Sequence, residues 1–266
     1  MNEMVKYNNA LNHLQFTNFT PMDYNIFMCL CHKLRNRGTD KVTLSFKELK
    51  KLSEFGNHTD KSFVEALDRM IDKLIKVNTD FIDGDDEAKF VLFPTFVKNE
   101  KKATLTVSVN SDYVFILNEL SNNFTVFELK EFAELDGKYA KNLYRFLKQY
   151  RSSGWWKPTI EEFIFTMDIP ETTDRKRIMP EIIKPTLERL DGKFKDLKCE
   201  PIKAKKRGAP IERFSFSFEP EEIKNEEESS KITEFNKKAV QKSSFHKYQQ
   251  NKEDYEELEK LLVENI

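Results

Sequence analysis

The sequence predicts an α+β fold that consists of two tandem winged-helix domains and a charged C-terminal tail. A helix-start pattern occurs twice, as Asn18-Phe19-Thr20 and as Asn123-Phe124-Thr125, 105 positions apart. After each copy the chain continues with helical and then strand-like apolar spacing. In the second copy the last helix and the hairpin after it are rich in Lys and Arg. We therefore place the domains at residues 1–120 and 121–220, and an acidic tail at residues 221–266.

In the first copy, Thr20 and Asp23 have the spacing of a capping box, and Pro21 suits the first position of a helix. The pair Ser45 and Glu48 predicts a second, short helix in the same way. A third helix is predicted from Ser62, because apolar residues recur there at helical spacing: Phe63, Leu67, Met70, Ile71 and Leu74. Strands are predicted at 77–82 and 90–97, with a turn at Asp83-Gly84, and over the alternating Leu105, Val107 and Val109.

In the second copy, a helix is predicted to begin at Thr125, and Gly137 separates it from a further helix that carries Leu143 and Phe146. Trp155-Trp156 indicates a short strand, and Thr159 begins another short capped helix.

The element that follows is basic. We predict a helix over residues 181–190 with a bend near Pro185, and leave open whether it begins ahead of Pro180 or at it. A hairpin closes the copy, because Phe214, Phe216 and Phe218 alternate with serines.

Charge is concentrated in this basic helix and hairpin. Residues 174–207 contain twelve Lys and Arg against six Asp and Glu, although the net charge of the chain is −1. The whole-chain value is low because residues 219–266 carry thirteen acidic and eight basic side chains. A single charge run is more often a solvated helix with an ordinary charged turn. A basic helix and a basic hairpin in succession, however, are how a winged-helix module holds duplex DNA, with the helix in the major groove and the wing on the backbone.

The candidate DNA contacts follow from this arrangement. We expect groove contacts from Arg175, Lys176, Arg177 and Lys184, because Arg can bind guanine in bidentate fashion. Phosphate contacts are expected from the hairpin tip: Lys203, Lys205, Lys206 and Arg207. Weaker candidates are Lys138, Lys141 and Arg145 in the preceding helix, and Lys61 and Arg69 in the first copy.

The third helix of the first copy is less suited to DNA. Residues 60–80 hold four basic and five acidic side chains, and phosphates repel an acidic helix. We therefore expect the second domain to supply most of the DNA affinity and the first to supply a dimer surface and secondary contacts.

The sequence contains no pattern typical of catalysis. It has no phosphate-binding loop of the G-x-x-x-x-G-K-[ST] type, and its four histidines are scattered. Tyr144 and Lys148 have the spacing of a nicking tyrosine, but without the paired histidines that would bind the metal, so Tyr144 is better explained by helix packing. The three cysteines have no disulfide spacing, and no apolar run is long enough for a membrane span. We expect a cytoplasmic protein without enzymatic activity, metal or cofactor.

Several motifs, in order, resemble the theta-type plasmid replication initiators of the Rep_3 (RepB-like) family. They are Lys6-Tyr7-Asn8-Asn9-Ala10-Leu11-Asn12, Phe19-Thr20, Ser45-Phe46-Lys47-Glu48-Leu49, Phe124-Thr125-x-Phe127-Glu128-Leu129, Leu143-Tyr144-Arg145-Phe146-Leu147-Lys148-Gln149-Tyr150-Arg151, Ile169-Pro170, Lys184-Pro185 and the Phe214–Phe218 strand. The resemblance covers residues 5–220 and leaves the tail outside.

The resemblance implies two winged helices that bind direct repeats (iterons) in double-stranded plasmid origin DNA. It further implies monomers that open an AT-rich region and recruit the host initiator and replicative helicase, and dimers, joined through the first domain, that repress the initiator's own promoter. A dimeric transcriptional repressor without initiation activity is the alternative, and a nicking replication endonuclease is a more remote one. For the tail, a short helix over residues 254–263 and a disordered segment are both open.

Overall fold

The computed structural model describes residues 3–14, 16–56, 59–76, 79–83, 86–118, 120, 123–205 and 209–221. Within residues 76–90 it describes the backbone of those elements and not their side chains. The predicted tail beyond residue 221, with its possible helix, lies outside the described residues, as do the two cations Lys206 and Arg207.

The first half of the chain begins with β1 (Met4–Asn8), a 3-10 helix (Asn9–His13) and α1 (Pro21–Leu34). The predicted capping box is present, since the Thr20 hydroxyl accepts from the Asp23 N–H and the Asp23 carboxylate accepts from the Thr20 N–H. The next elements are β2 (Val42–Ser45), α2 (Phe46–Leu52), α3 (Asp60–Lys76), β3 (Thr79–Asp83), β4 (Asp86–Phe90), β5 (Thr95–Asn99), β6 (Thr104–Ser108) and a 3-10 helix (Ser111–Ile116).

Two boundaries in this half differ from the prediction. Helix α3 begins at Asp60 rather than near Ser62, because the Thr59 hydroxyl accepts from the Ser62 N–H and so caps the helix one turn earlier. The single strand predicted over residues 90–97 is two strands, β4 and β5. Leu92 and Phe93 are buried between them, and Pro94, which lacks an N–H, cannot continue a ladder.

The second half consists of β7 (Phe124–Glu128), α4 (Leu129–Glu134), α5 (Lys138–Gln149), β8 (Trp155–Trp156), α6 (Ile160–Thr166), α7 (Arg175–Arg177), a π-helical turn (Ile178–Ile183), α8 (Lys184–Arg189), β9 (Lys198–Lys203) and β10 (Ile211–Ser217). The helix predicted to begin at Thr125 begins instead at Leu129, after a strand that the sequence did not predict. Thr125 and Phe127 are buried while their neighbours are half-exposed, which is the alternation of a strand. This strand, β7, pairs antiparallel with β1, with Tyr7 opposite Thr125.

The two halves share one architecture, and both are winged helices. Each contains a three-stranded sheet in which the short strand pairs with the last strand of a hairpin: β2-β6-β5 in the first half and β8-β10-β9 in the second. Helix α1 therefore corresponds to α5, α2 to α6, and α3 to the continuous helix of residues 175–189, which we call the basic helix. Ser45 and Thr159 occupy equivalent positions, because they cap the corresponding helices α2 and α6. The two Asn-Phe-Thr copies are not equivalent, since the first leads into a helix and the second into a strand.

This correspondence redefines the wing of the first half. The counterpart of the β9–β10 hairpin is β5–β6, and the β3–β4 hairpin is an insertion between α3 and that wing. The described residues up to Glu221 form one compact unit, with a continuous apolar core that runs through both halves. Aromatic contacts such as Tyr7 with Phe127 (6.0 Å between ring centroids) and Tyr144 with Phe194 (5.5 Å) contribute to it. The division at residue 120 remains a prediction.

Candidate nucleic-acid interface

The basic helix begins at Arg175, ahead of Pro180. The Asp174 carboxylate caps it by accepting from the Lys176 N–H (3.0 Å). Ile178, Ile183 and Leu190 are fully buried and fix one face of the helix to the core. The groove contacts predicted from the sequence lie on the other side, where all four cations are exposed: Arg175, Lys176, Arg177 and Lys184.

The two prolines of this helix are accommodated by its π-helical turn. The Lys184 N–H donates to the Met179 carbonyl, five residues back instead of four. Backbone angles at Ile183 and Lys184 stay helical, so the chain passes Pro185 without a break. The irregularity predicted near Pro185 therefore takes the form of a widened turn, a feature that often occurs at functional sites.

Two of the exposed arginines are held by acidic neighbours. Arg175 Nη1 lies 2.8 Å from Glu161 Oε1 of α6, and Arg177 Nε lies 2.6 Å from Glu181 Oε1 one turn along the helix. The hydrogen bond from Arg177 to Glu181 raises the pKa of the guanidinium further above its already high value. Exposed ion pairs contribute little to stability and are screened by salt, so both arginines can exchange their carboxylate for a phosphate or a base edge. Among the described residues, neither Lys176 nor Lys184 has an ion-pair partner.

The hairpin β9–β10 forms the wing beside this helix. Phe214 and Phe216 are fully buried and pack on Phe163 of α6, with centroid distances of 5.1 and 5.7 Å. The Ala204 N–H donates to the Pro210 carbonyl (2.9 Å), which keeps the two strands together toward the tip. Lys203 and Lys205 are exposed there, as a phosphate contact requires. The buried strand thus fixes the base of the wing and leaves Lys203 and Lys205 exposed to solvent.

The structure corrects two of the weaker candidates, Lys141 and Arg145, and leaves Lys138 as a half-exposed candidate. Lys138 is tied to Asp168, and Lys141 and Arg145 are each only 1% exposed, so neither of the latter reaches a phosphate in this structure. They are core residues because α5 is buried around its whole circumference from Ala140 to Leu147. Charge in a helix usually marks a solvated face, and this central helix is an exception that periodicity does not reveal.

Both buried cations have protein partners that are not carboxylates. Lys141 Nζ donates to the Phe132 and Ala133 carbonyls at 2.7 and 3.1 Å, and burial lowers the pKa of its ammonium from 10.5 to about 7. Arg145 donates to the Asn142 side chain (2.9 Å) and lies over the rings of Phe16 (4.9 Å) and Tyr24 (5.6 Å). Both residues therefore join elements inside the core.

In the first half, the candidates Lys61 and Arg69 are exposed on α3, as a contact to DNA would require. Acidic residues share that helix, and Asp68 is held by Lys98 of β5 (2.7 Å). Sequence reasoning missed Lys101 and Lys102, which are exposed at the turn of the first wing. The sequence contains the signal, a Lys-Lys pair between two alternating apolar runs, but it predicts the hairpin at residues 77–97 instead.

The metal-ligating types of side chain and the position of Tyr144 bear on the chemistry that the described residues can support. The described residues contain no group of three or more His, Cys, Asp or Glu side chains that could hold a metal ion. Tyr144 is buried in the core, as the packing interpretation predicts, and its hydroxyl donates to Glu131 (2.6 Å). No helix in the described part of the chain is long and apolar enough to cross a membrane.

Comparison with known proteins identifies the family. Residues 4–148 match the family model described as "Initiator Replication protein, WH1". The chain is also 36% identical over 220 residues to the "Probable replication protein rep" of Bifidobacterium longum (strain NCC 2705), which covers 82% of this chain and 73% of that protein. The chain belongs to the initiator replication protein family.

The fold of this initiator is similar to that in the crystal structure of the Pi initiator protein in complex with iteron DNA. The TM-score is 0.63 at 12% identity, over 83% of this chain and 98% of that one, so the likeness is one of fold. Two crystal structures of domains 2 and 3 of RctB align with a TM-score of 0.40 at 11% and 12% identity.

Proposed function

We propose that this initiator binds direct repeats (iterons) in the double-stranded origin DNA of a plasmid and starts replication there. Bound monomers open the adjacent AT-rich DNA and recruit the host initiator and replicative helicase. Dimers joined through the first half of the chain repress the initiator's own promoter. Family membership and the iteron complex of the similarly folded Pi initiator protein support this proposal.

The observation that carries the proposal is the exposed cationic face of the second winged helix. Arg175, Lys176 and Arg177 occupy the first turn of a recognition helix whose opposite face is anchored in the core. The N-terminal residues of such a helix are the ones that contact base edges in the major groove. Lys203 and Lys205 bind phosphates beside the groove, and the sequence adds Lys206 and Arg207, outside the described residues, as further candidates for this role.

In this proposal the basic helix contacts bases and the wing contacts phosphates. Arg175 and Arg177 bind guanine O6 and N7 when the DNA displaces Glu161 and Glu181, which gives sequence preference. The wing lysines contribute affinity that does not depend on sequence. The first winged helix adds fewer contacts, through Lys61 and Arg69, because acidic side chains share the exposed face of α3.

The chain acts without cleaving DNA in this proposal. A nicking mechanism needs an accessible tyrosine as nucleophile, and burial together with the Glu131 carboxylate raises the pKa of Tyr144 well above its ordinary value of 10.0. Both the position and the protonation of Tyr144 therefore favour a packing role.

The experiment is a binding titration with the DNA that adjoins the coding region. A fragment carrying its tandem repeats should bind far more tightly than a scrambled fragment of equal length. If about five phosphates are neutralised, the logarithm of the association constant should fall with the logarithm of salt at a slope of roughly −4 to −5. A flat salt response, or equal affinity for both fragments, would contradict iteron binding.

A replication assay separates initiation from simple repression. A plasmid that carries the coding region and its repeats, with no other origin, should be maintained in the host. Binding without plasmid maintenance would instead support a dimeric repressor, and divalent-metal-dependent nicking of the supercoiled fragment would support an endonuclease.

A further inference from the structure

Asn18 lies between the two winged helices, and its backbone forms a hydrogen bond with each of them. Its carbonyl accepts a hydrogen bond from Lys73 Nζ of α3 (2.8 Å). Its N–H donates to Asp168 Oδ2 (3.2 Å), which follows α6 in the second half. Lys138, the first residue of α5, donates to the Asp168 carbonyl (2.9 Å) and carboxylate (3.1 Å). We call Lys73, Asn18, Asp168 and Lys138 the Asn18 junction.

The backbone at the centre of this junction has an unusual conformation. Asn18 and Asp168 both lie in the left-handed region, with φ of 60° and 51°. Asn and Asp adopt this region more readily than other residues that carry a side chain, but it still needs support from surrounding contacts. The hydrogen bonds of the junction are such contacts, so the conformation and the contacts depend on one another.

The ion pairs of the junction are partly shielded from water. The Asp168 carboxylate is 15% exposed and Lys138 is 28% exposed. At the other end, Lys73 also pairs with Asp23, the buried carboxylate of the α1 capping box. Charges in such positions are screened by salt less than surface pairs, and removing one partner leaves the other desolvated without compensation. The partial burial of its charges distinguishes the junction from the exposed ion pairs of Arg175 and Arg177.

The junction connects the two DNA-reading elements by a short path. Lys73 belongs to α3, the helix that corresponds to the basic helix. Asp168 lies between α6 and the basic helix, in the connection of the second helix-turn-helix. One backbone residue, Asn18, therefore separates a side chain of the first recognition helix from the turn that positions the second.

The spacing of two recognition helices matters because DNA is helical. With about 10–10.5 base pairs per turn, one inserted base pair rotates the far contact by roughly 35° and moves it by about 3.4 Å. If the connection between the two helices is stiff, such an insertion lowers the binding affinity, because both helices cannot reach their contacts at once. If the connection is flexible, the second helix can move to its displaced site and the affinity changes little.

We propose that the Asn18 junction fixes the distance and phase between the two recognition helices, and that Asp168 is a positioning residue through which the initiator selects the spacing of the two DNA segments it contacts. This inference rests on the proposed function, since it presupposes that both winged helices bind one DNA duplex. It adds a determinant of spacing that is separate from the residues that contact bases.

The test compares spacing discrimination rather than affinity alone. The probe is the tightest 30-base-pair duplex, a length of about three helical turns, that the full-length wild-type chain selects from a random pool. Hydroxyl-radical footprinting locates the two protected segments, and one or two base pairs are inserted midway between them. Dissociation constants are then measured for the three duplexes with wild type, Asp168→Ala, Asp168→Asn and Lys73→Met.

A matched control is available within one helix. Glu134→Ala removes an exposed carboxylate whose partner, Lys130, lies in the same helix α4 and connects nothing between the halves (3.7 Å). Circular dichroism and thermal unfolding confirm that each variant is folded. Lys73→Met breaks the junction from its other end, so the test does not depend on the folding of Asp168→Ala.

We expect the wild type and Glu134→Ala to lose about tenfold in affinity on a one-base-pair insertion, because the phosphate contacts of α3 and of the first wing move out of register together. In Asp168→Ala and Lys73→Met the loss of affinity on insertion should be only about threefold or less. The reason is that these variants bind the duplexes with inserted base pairs almost as tightly as the original duplex. Asp168→Asn keeps an acceptor for the Asn18 N–H and should restore part of the discrimination.

Two outcomes would overturn the inference in different ways. If Asp168→Ala and Lys73→Met weaken binding to all three duplexes by the same factor, the junction is structural only, and the proposed function stands. If the wild-type chain selects no duplex from the pool, or protects only one segment, then binding of a duplex through both winged helices fails, and the spacing role fails with it.

Discussion

The basic helix and α3 occupy equivalent places in their winged helices, yet their exposed faces differ in charge. The first turn of the basic helix presents three consecutive cations, two of them in exposed pairs that DNA can displace. Helix α3 presents Lys61 and Arg69 among acidic residues, and Asp68 and Lys73 are engaged by other elements of the protein. The two helices differ in the charge on the exposed face, and on this ground we propose that the second half supplies most of the DNA affinity.

The largest expected effect separates these two helices directly. Replacing Arg175 and Arg177 together with alanine should lower affinity for the selected repeat by about 10²-fold, because each bidentate base contact contributes about 1–3 kcal/mol. The matched double variant Lys61→Ala/Arg69→Ala should lose less than about tenfold, since its contacts are to phosphates. Fluorescence anisotropy at fixed salt measures both, and a larger loss in the α3 variant would reverse the assignment.

A second prediction contrasts the exposed cations with buried Lys141. Its pKa is lowered to about 7, whereas in the unfolded chain it is near 10.5, so between these values the unfolded chain binds more protons. The free energy of unfolding should therefore rise as pH increases from 7 to 9.5, by on the order of 2 kcal/mol from this group.

The measurement is urea denaturation of the initiator at pH 7 and pH 9.5, with Lys141→Met beside the wild type. The methionine variant has a side chain of similar length without the charge. Its free energy of unfolding should therefore rise less between pH 7 and pH 9.5 than that of the wild type. Lys176→Met, at an exposed position of the basic helix, is the control and should behave as the wild type. An unchanged pH slope in Lys141→Met would mean that the ammonium is not desolvated.

The smallest of the three effects concerns the two wings. Lys203→Ala/Lys205→Ala should weaken binding to specific and scrambled duplexes by the same factor, about tenfold at low salt, because wing lysines neutralise phosphates and do not read bases. The corresponding change in the first wing, Lys101→Ala/Lys102→Ala, should have less effect. A loss confined to the specific duplex would show that the second wing contacts bases instead.

Much of this arrangement is predictable from local sequence signals. Caps such as Thr20 and Thr159 and the apolar spacing of α3 depend on neighbouring residues only, and the structure confirms them. The basic helix and its hairpin are likewise confirmed, and so is the fold class. These signals are strong because a cap or an amphipathic stripe has the same physical cause in any protein.

The remaining features depend on partners far away in the chain. Thr125 follows a helix-start pattern, but a strand forms because Met4–Asn8 provides an edge to pair with. Lys141 and Arg145 resemble surface cations, and only the packing of α5 between other elements reveals that they are buried. The ion pair between Lys138 and Asp168 likewise forms only when the folded chain brings these two distant residues together. Propensity and charge runs contain no information about such long-range neighbours.

The most direct test of the central claim, that the second winged helix supplies most of the DNA affinity, is the salt dependence of binding in matched variants. We expect the slope of log K against log salt to become less steep by about 2 in Lys203→Ala/Lys205→Ala and by less than 1 in Lys61→Ala/Arg69→Ala. The reverse order, with the larger change of slope in the α3 variant, would contradict the claim and place the main DNA contacts in the first half.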